Sequence, residues 1–277
     1  MGASHKHISL FSYFGGKISM LPNILPKIPS HSTYVEPFAG SLAVFLNKRP
    51  SEREIINDLD PDIATFWKVM KTDGDRLIYK IQMTPMSRSV FGNACDLLFR
   101  GEEKLSDIDR AIYTYVVLTR SIVRALHTKT EKNSANIYST TDKFASERNV
   151  FKKNSKYSLF RVRNTKVFNQ DAIEVMKRFD GKDTFLYLDP PYVVSAQRGS
   201  REYKTSVSDE WHEEFLQTAL RCKSKIMISG YESDLYHDYL KDWECFKYTK
   251  YSDTGLMFKK ASLKNDCLWV NYRINTV

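Results

Sequence analysis

The sequence predicts an α/β protein: a mostly parallel sheet of the nucleotide-binding type, interrupted by an inserted, mostly helical segment. Three observations carry this. Short apolar runs, each leading into an acid or a small-residue turn and then a helical stretch, recur in residues 1–70 and 165–277. From Lys71 to Asn164 that rhythm stops. The charge is also uneven: residues 71–168 hold 19 Lys/Arg against 10 Asp/Glu, the rest hold 23 of each, and the whole excess of +9 sits in the middle. A near-neutral body with one basic region predicts a polyanion-binding module, the competing reading being a solvated face.

The 277 residues, 42% of them hydrophobic, suffice for one large α/β domain carrying an insertion. No apolar run reaches the roughly 18 residues of a membrane span, and the first residues lack the apolar core of a secretory signal. Cys95, Cys222, Cys245 and Cys267 are scattered without C-x-x-C spacing. They fit reduced thiols better than disulfides or a metal site, so a cytoplasmic protein is expected.

Taken in order, the chain opens with Phe11-Ser12-Tyr13-Phe14-Gly15-Gly16-Lys17. Paired glycines let backbone approach a ligand closely, and Lys17 adds a cation. The P-loop spacing is missing. A short, proline-punctuated helix follows over Met20–Ile28. Thr33-Tyr34-Val35 reads as a strand running into Glu36-Pro37-Phe38-Ala39-Gly40-Ser41, with Leu42–Asn47 helical. Strand, small-residue turn and helix form the first unit of a nucleotide-binding sheet, although the absent G-x-G-x-x-G disfavours a dinucleotide. Glu54–Asp58 is a second strand ending in an acid, placed where an acid commonly hydrogen-bonds ribose hydroxyls. Asp60-Pro61 caps the helix Asp62–Met70.

In the middle segment, Ile108–Leu126 has helical periodicity, with Arg120 and Arg124 four apart on one side. Thr128–Asn154 is polar and reads as loops. Lys143–Lys166 carries eight basic residues against one acid, with Phe144, Phe151, Tyr157 and Phe160 interleaved. Such a mixture suits phosphate contact combined with base or sugar contact.

The α/β rhythm resumes with the strand and acid Lys166–Asp171 and the helix Ala172–Phe179. The apolar strand Thr184–Leu188 then meets Asp189-Pro190-Pro191-Tyr192. Ser195–Ser208 is polar and basic and reads as a loop over the site. Beyond it come a helix over Asp209–Cys222, a buried strand Lys225–Ser229, a helix over Glu232–Leu240, and closing strands Phe246–Tyr251 and Leu268–Ile274, paired as a hairpin.

The corner at Asp189 has a defined chemistry. Two prolines end the strand because neither donates a ladder hydrogen bond. In open α/β sheets ligands bind at the carboxyl ends of strands. There the Asp189 carboxylate and the Pro190 carbonyl offer two acceptors to an amino group, and the Tyr192 ring offers a flat face. Taken alone, the motif reads equally well as a strand ending in a proline turn.

Tyr13-Phe14-Gly15-Gly16-Lys17, Glu36-Pro37-Phe38-Ala39-Gly40, Asn57-Asp58 and Asp189-Pro190-Pro191-Tyr192 occur in that order over most of the chain. In this the sequence resembles the Dam-type (D12 class, alpha-group) family of DNA adenine-N6 methyltransferases. Asp266–Tyr272 also resembles the family's last strand, which more often carries Glu than Asp266, and the first motif often has Trp where Tyr13 stands.

The resemblance implies a Rossmann-like methyltransferase sheet, with residues 1–70 and 165–277 binding S-adenosyl-L-methionine and residues 71–164 reading double-stranded DNA. Tyr13 and Lys17 would line the cofactor pocket, Phe38 and Gly40 would lie against its methionine part, and Asp58 would take the ribose hydroxyls. Asp171 is implied either for the cofactor's adenine amino group or as the cap of the next helix. Asp189 would serve both cofactor and catalysis, with Pro190 and Tyr192 completing the corner for a flipped-out adenine. No metal is expected. Lys152, Lys153 and Arg198 are expected to contact DNA, and Arg120, Arg124 and Arg163 are the candidates for base edges, salt bridging within the segment being the alternative. A restriction endonuclease acting on the same site would be a partner consistent with the family. The same corner would also serve cytosine N4 or adenine in RNA, and a catalytically silent DNA-binding subunit would keep the fold.

Overall fold

In the computed structural model, which describes residues 7–13, 15–100, 104–121, 143–191, 207–251 and 263–274, seven strands form one mixed sheet. They are β1 (Thr33–Glu36), β2 (Arg53–Asn57), β3 (Lys166–Phe168), β4 (Thr184–Leu188), β5 (Lys225–Tyr231), β6 (Glu244–Tyr251) and β7 (Leu263–Val270), in the order β3-β2-β1-β4-β5-β7-β6. β4 runs parallel to β1 and β5, and β2 parallel to β3. β7 lies antiparallel between β5 and β6, so the expected hairpin is present, its second strand running over 263–270. β1 and β4 are buried at every position; β4 therefore reads as a continuous rather than alternating apolar run, whereas β1 buries the polar Thr33 and Glu36 at its two ends. The strand order reverses between β1 and β4, the position at which open sheets bind ligands.

The helices are α1 (Leu21–Ile24), flanked by single 3-10 turns, α2 (Ala43–Asn47), α3 (Pro61–Thr72), α4 (Gly74–Met83), α5 (Arg88–Arg100), α6 (Asp107–Arg120), α7 (Lys143–Val162), α8 (Ala172–Phe179), α9 (Asp209–Arg221) and α10 (Asp234–Tyr239). The start of α3 follows the expected capping chemistry. The Asp60 carboxylate accepts from the Asp62 amide ahead of α3, with Pro61 in the first turn. Ser106, Ser208 and Ser233 cap α6, α9 and α10 in the same way.

The chain divides into two compact units. The first comprises residues 1–28, 39–50 and 54–169; the second comprises 29–38, 51–53 and 170–277. The described helices of residues 71–164 fall in the first unit with the glycine turns, where α4, α6 and α7 all pack on α3. α6 is enclosed over Thr114–Arg120 and ends at Arg120, short of the expected Leu126. Gly74 lets α4 approach α7: a Cβ there would come within 2.5 Å of a Leu159 methyl.

The reading of residues 143–154 as loop is corrected, since they open the 20-residue helix α7. Its buried positions, Phe151, Asn154, Ser155, Ser158, Leu159, Arg161 and Val162, lie near one face, but four of the seven are polar or charged. A hydrophobicity pattern misses such a face. α7 is anchored by a buried ionic cluster in the same unit. Arg161 donates to both Glu54 oxygens at 2.8 and 3.1 Å and to the Phe45 carbonyl at 2.9 Å, and lies over the Phe45 ring. Lys48 donates to Glu54 at 2.6 Å. Burial raises the Glu54 carboxyl, but the hydrogen bonds and charges of Arg161 and Lys48 outweigh it and hold the group below its ordinary value.

Candidate functional site

Within the first unit, the Tyr13–Lys17 turn, the turn after β1 and the end of β2 converge. The Gly16 amide donates to the Tyr13 carbonyl at 2.9 Å, and a Cβ on Gly16 would stand 2.9 Å from that same oxygen. Gly15 has φ 74°. The buried Lys17 folds back, its ammonium donating to the Gly15 carbonyl at 2.8 Å, so it braces this turn. Gly40 has φ 45°, and a Cβ there would meet the Tyr13 ring at 3.0 Å. Only glycine meets both requirements cheaply.

Both polar backbone groups of Gly40 are fixed. Its amide donates to Asp58 Oδ2 at 2.8 Å, and its carbonyl accepts from the Trp67 indole at 2.9 Å. Two residues on, the buried Leu42 adopts a left-handed conformation with φ 54°. That strain costs on the order of 1–3 kcal/mol and marks a turn held by its surroundings.

Asp58 Oδ1 accepts from the Asp60 amide at 3.0 Å. Burial, and then the nearby Asp60 carboxylate, push the Asp58 carboxyl up to about 7. Burial and the same two acids raise the Tyr13 phenol as well. Each Asp58 oxygen keeps acceptor capacity beyond these bonds. A pair of hydroxyl donors would stabilise its charged form.

Within the second unit, Asp189 and Phe38 follow the carboxyl ends of the adjacent parallel strands β4 and β1, paired through Val35 and Leu186. Ser229 of β5 donates to Asp189 Oδ1 at 2.9 Å and lies 3.0 Å from the Tyr187 hydroxyl. The Phe38 ring packs edge-on against Trp211 and Phe215, which stack on each other with centroids 5.3 Å apart. Asp171 caps α8 by accepting from the Ile173 amide at 2.8 Å, and its other oxygen accepts from the Trp211 indole at 3.4 Å. Capping, one of its two sequence readings, is thus present. The buried His212 shares a 3.0 Å hydrogen bond with Tyr236 and is lowered by burial to about 4, which keeps it neutral at physiological pH.

Of the basic residues, Lys152 and Lys153 are exposed on α7, and Arg163 is exposed just beyond it. Lys156, Tyr157 and Phe160 join them at the surface, whereas Phe151 packs inward on Tyr115 at 4.6 Å. Arg120 is buried and donates to the Met86 carbonyl at 2.5 Å, so the fold uses it internally. Tyr192, Arg124 and Arg198 lie outside the described residues.

Sequence reasoning missed Trp67, Ser229, Trp211 and Arg161. Each meets its partner through register or tertiary packing, and no local pattern marks it.

Comparison with known proteins adds an independent finding. The family model for D12 class N6 adenine-specific DNA methyltransferases matches residues 13–254. A Type II methyltransferase, M.MjaIII of Methanocaldococcus jannaschii, is 24% identical over 64% of this chain and 66% of its own length. A DNA adenine methylase of Vibrio cholerae is 33% identical over a shorter segment, 27% of each chain. The DNA adenine methylase of Salmonella typhi is 23% identical over 84% of both chains.

Proposed function

The chain belongs to the D12 class of N6 adenine-specific DNA methyltransferases, and we propose from its side-chain arrangement that it transfers a methyl group from S-adenosylmethionine to N6 of a flipped-out adenine within a short sequence of double-stranded DNA. The observation that carries this reading is the Asp189-Pro190-Pro191 corner at the end of β4, with Ser229 holding one Asp189 oxygen.

The first unit's turns fit such a cofactor. Asp58 carries a carboxyl made costly to ionise by burial, and a ribose diol would supply the donors its charged form lacks. Gly40 and Tyr13 already touch, with no room for a Cβ between them. On this reading Asp58 holds the ribose hydroxyls, and Tyr13 and the Gly40 turn hold the remainder, with Lys17 bracing the glycine pair. Bound S-adenosylmethionine supplies an electrophilic sulfonium methyl.

The lone pair of adenine N6 is delocalised into the ring, so the nitrogen is a poor nucleophile. Asp189 and the Pro190 carbonyl accept its two N–H bonds and favour a tetrahedral, more nucleophilic nitrogen. Acceptors fixed before the reaction stabilise the positive charge that develops on nitrogen. A base inside the stack is out of reach and must flip, and Tyr192 stacks on it to offset part of the unstacking cost. Lys152 and Lys153 contact DNA phosphates, and Arg163, exposed beside them, is a candidate for a base edge.

The test is product analysis by nucleoside mass spectrometry after incubation with duplex DNA and S-adenosylmethionine. N6-methyldeoxyadenosine is expected. N4-methyldeoxycytidine, or no methylated nucleoside, would overturn the proposal.

A further inference from the structure

An aspartate at a chain corner commonly orients its carboxylate on the backbone amides of the next residues. Asp189 has no such amides one and two residues on, because Pro190 and Pro191 carry no N–H. Part of its orientation comes from elsewhere in the fold. Ser229 supplies it from the neighbouring strand, donating to Asp189 Oδ1 at 2.9 Å. The parallel register that pairs Leu188 with Ile228 brings these residues together. Ser229 and Tyr187 are each only 1% exposed, so water does not compete for their hydroxyls.

A serine hydroxyl has one proton. Its Oγ is also 3.4 Å from the Leu188 carbonyl, but the carboxylate is nearer and the stronger acceptor. With that proton given to Asp189, the Tyr187 hydroxyl, 3.0 Å away, donates to Ser229 Oγ. The result is a directed chain from Tyr187 through Ser229 to Asp189 Oδ1, in which each bond polarises the next.

We infer that Ser229, ordered by Tyr187, is a positioning residue for methyl transfer: by donating to Oδ1 it fixes the Asp189 carboxylate in the orientation that receives the amino group of the base. The inference rests on the proposed methyltransferase reading. Ser229 acts on the substrate only through Asp189.

The test compares wild type, Ser229→Ala, Ser229→Thr, Tyr187→Phe and Asp189→Ala for DNA methylation, with kcat, KM for DNA and cofactor affinity measured as functions of pH. Ser229→Ala is expected to lower kcat by about 10–100-fold, the scale seen when the hydrogen bond orienting a metal-binding side chain is removed, with KM and cofactor affinity unchanged. The lost bond favoured the charged carboxylate, so the acid limb of the kcat profile moves to higher pH. Ser229→Thr keeps a hydroxyl and recovers most of the rate. Tyr187→Phe costs less, about 2–12-fold.

Wild-type turnover and an unmoved pH profile in Ser229→Ala, with Asp189→Ala inactive, would overturn the inference and leave the methyltransferase reading standing. Parallel loss of cofactor affinity, DNA affinity and melting temperature in both serine variants would also overturn it, showing a purely structural role. If the wild type forms no N6-methyldeoxyadenosine, the reading falls and the inference falls with it.

Discussion

Cofactor binding is predicted to be linked to the ionisation of Asp58. In the free protein this carboxyl is pushed up to about 7, chiefly by burial and then by Asp60. Hydroxyl donors stabilise its charged form more than its neutral form, so binding is predicted to draw the group towards the charged form and release a proton. The folded-state value is raised, so the protonated carboxyl dominates below pH 7 and competes with binding there. At pH 7 about half the molecules carry the charge and at pH 5 about one in a hundred, so the dissociation constant should rise about 50-fold between them, approaching tenfold per pH unit. The same raised value governs stability with the opposite sign. Ionising a carboxyl whose folded value is raised destabilises the free protein as pH climbs from about 4 towards 7. Cofactor should therefore raise the melting temperature more at pH 7 than at pH 5. Isothermal titration calorimetry of S-adenosylmethionine in buffers of differing ionisation enthalpy measures both the affinity and the proton released. Asp58→Asn, which cannot ionise, should bind weakly with no slope between pH 5 and 7. An affinity in the wild type that is flat across this range, or that strengthens towards acid, would refute the reasoning.

Three further outcomes follow from the same structure. Glu54→Ala leaves Lys48 and Arg161 buried without their shared carboxylate; it should cost about 3–5 kcal/mol in urea unfolding. Gly40→Ala places a Cβ 3.0 Å from the Tyr13 ring at φ 45°. It should lose about 1–2 kcal/mol of stability and weaken cofactor binding, both readable by titrating one sample with urea and another with cofactor. Lys152→Ala with Lys153→Ala should weaken DNA binding and reduce the slope of log K against log salt by about two; an unchanged slope would mean these side chains are only solvated.

What could be read beforehand was local. The strand Thr184–Leu188, the helix Ala172–Phe179 and the Asp60-Pro61 cap fall where the sequence places them, because periodicity, capping and proline stops depend on neighbours in the chain. α7 could not be read over 143–154, since Asn154, Ser155 and Ser158 fill positions where a helix normally shows apolar side chains. Trp67 bonds Gly40 from 27 residues away, Ser229 bonds Asp189 from 40, and Arg161 bonds Glu54 from 107. Only strand register and helix packing determine such pairs. Arg120 shows the opposite limit: its helical position was right, but whether it points to solvent or to the Met86 carbonyl is decided by α5 packing on α6.

The central claim is that Asp189 activates the amino group of the base. Its most direct test is the single-turnover rate of Asp189→Ala beside wild type, with S-adenosylmethionine affinity measured on the same preparations. The account predicts that methyl transfer is abolished while cofactor binding is weakened but retained. Near-normal transfer by the variant would contradict it.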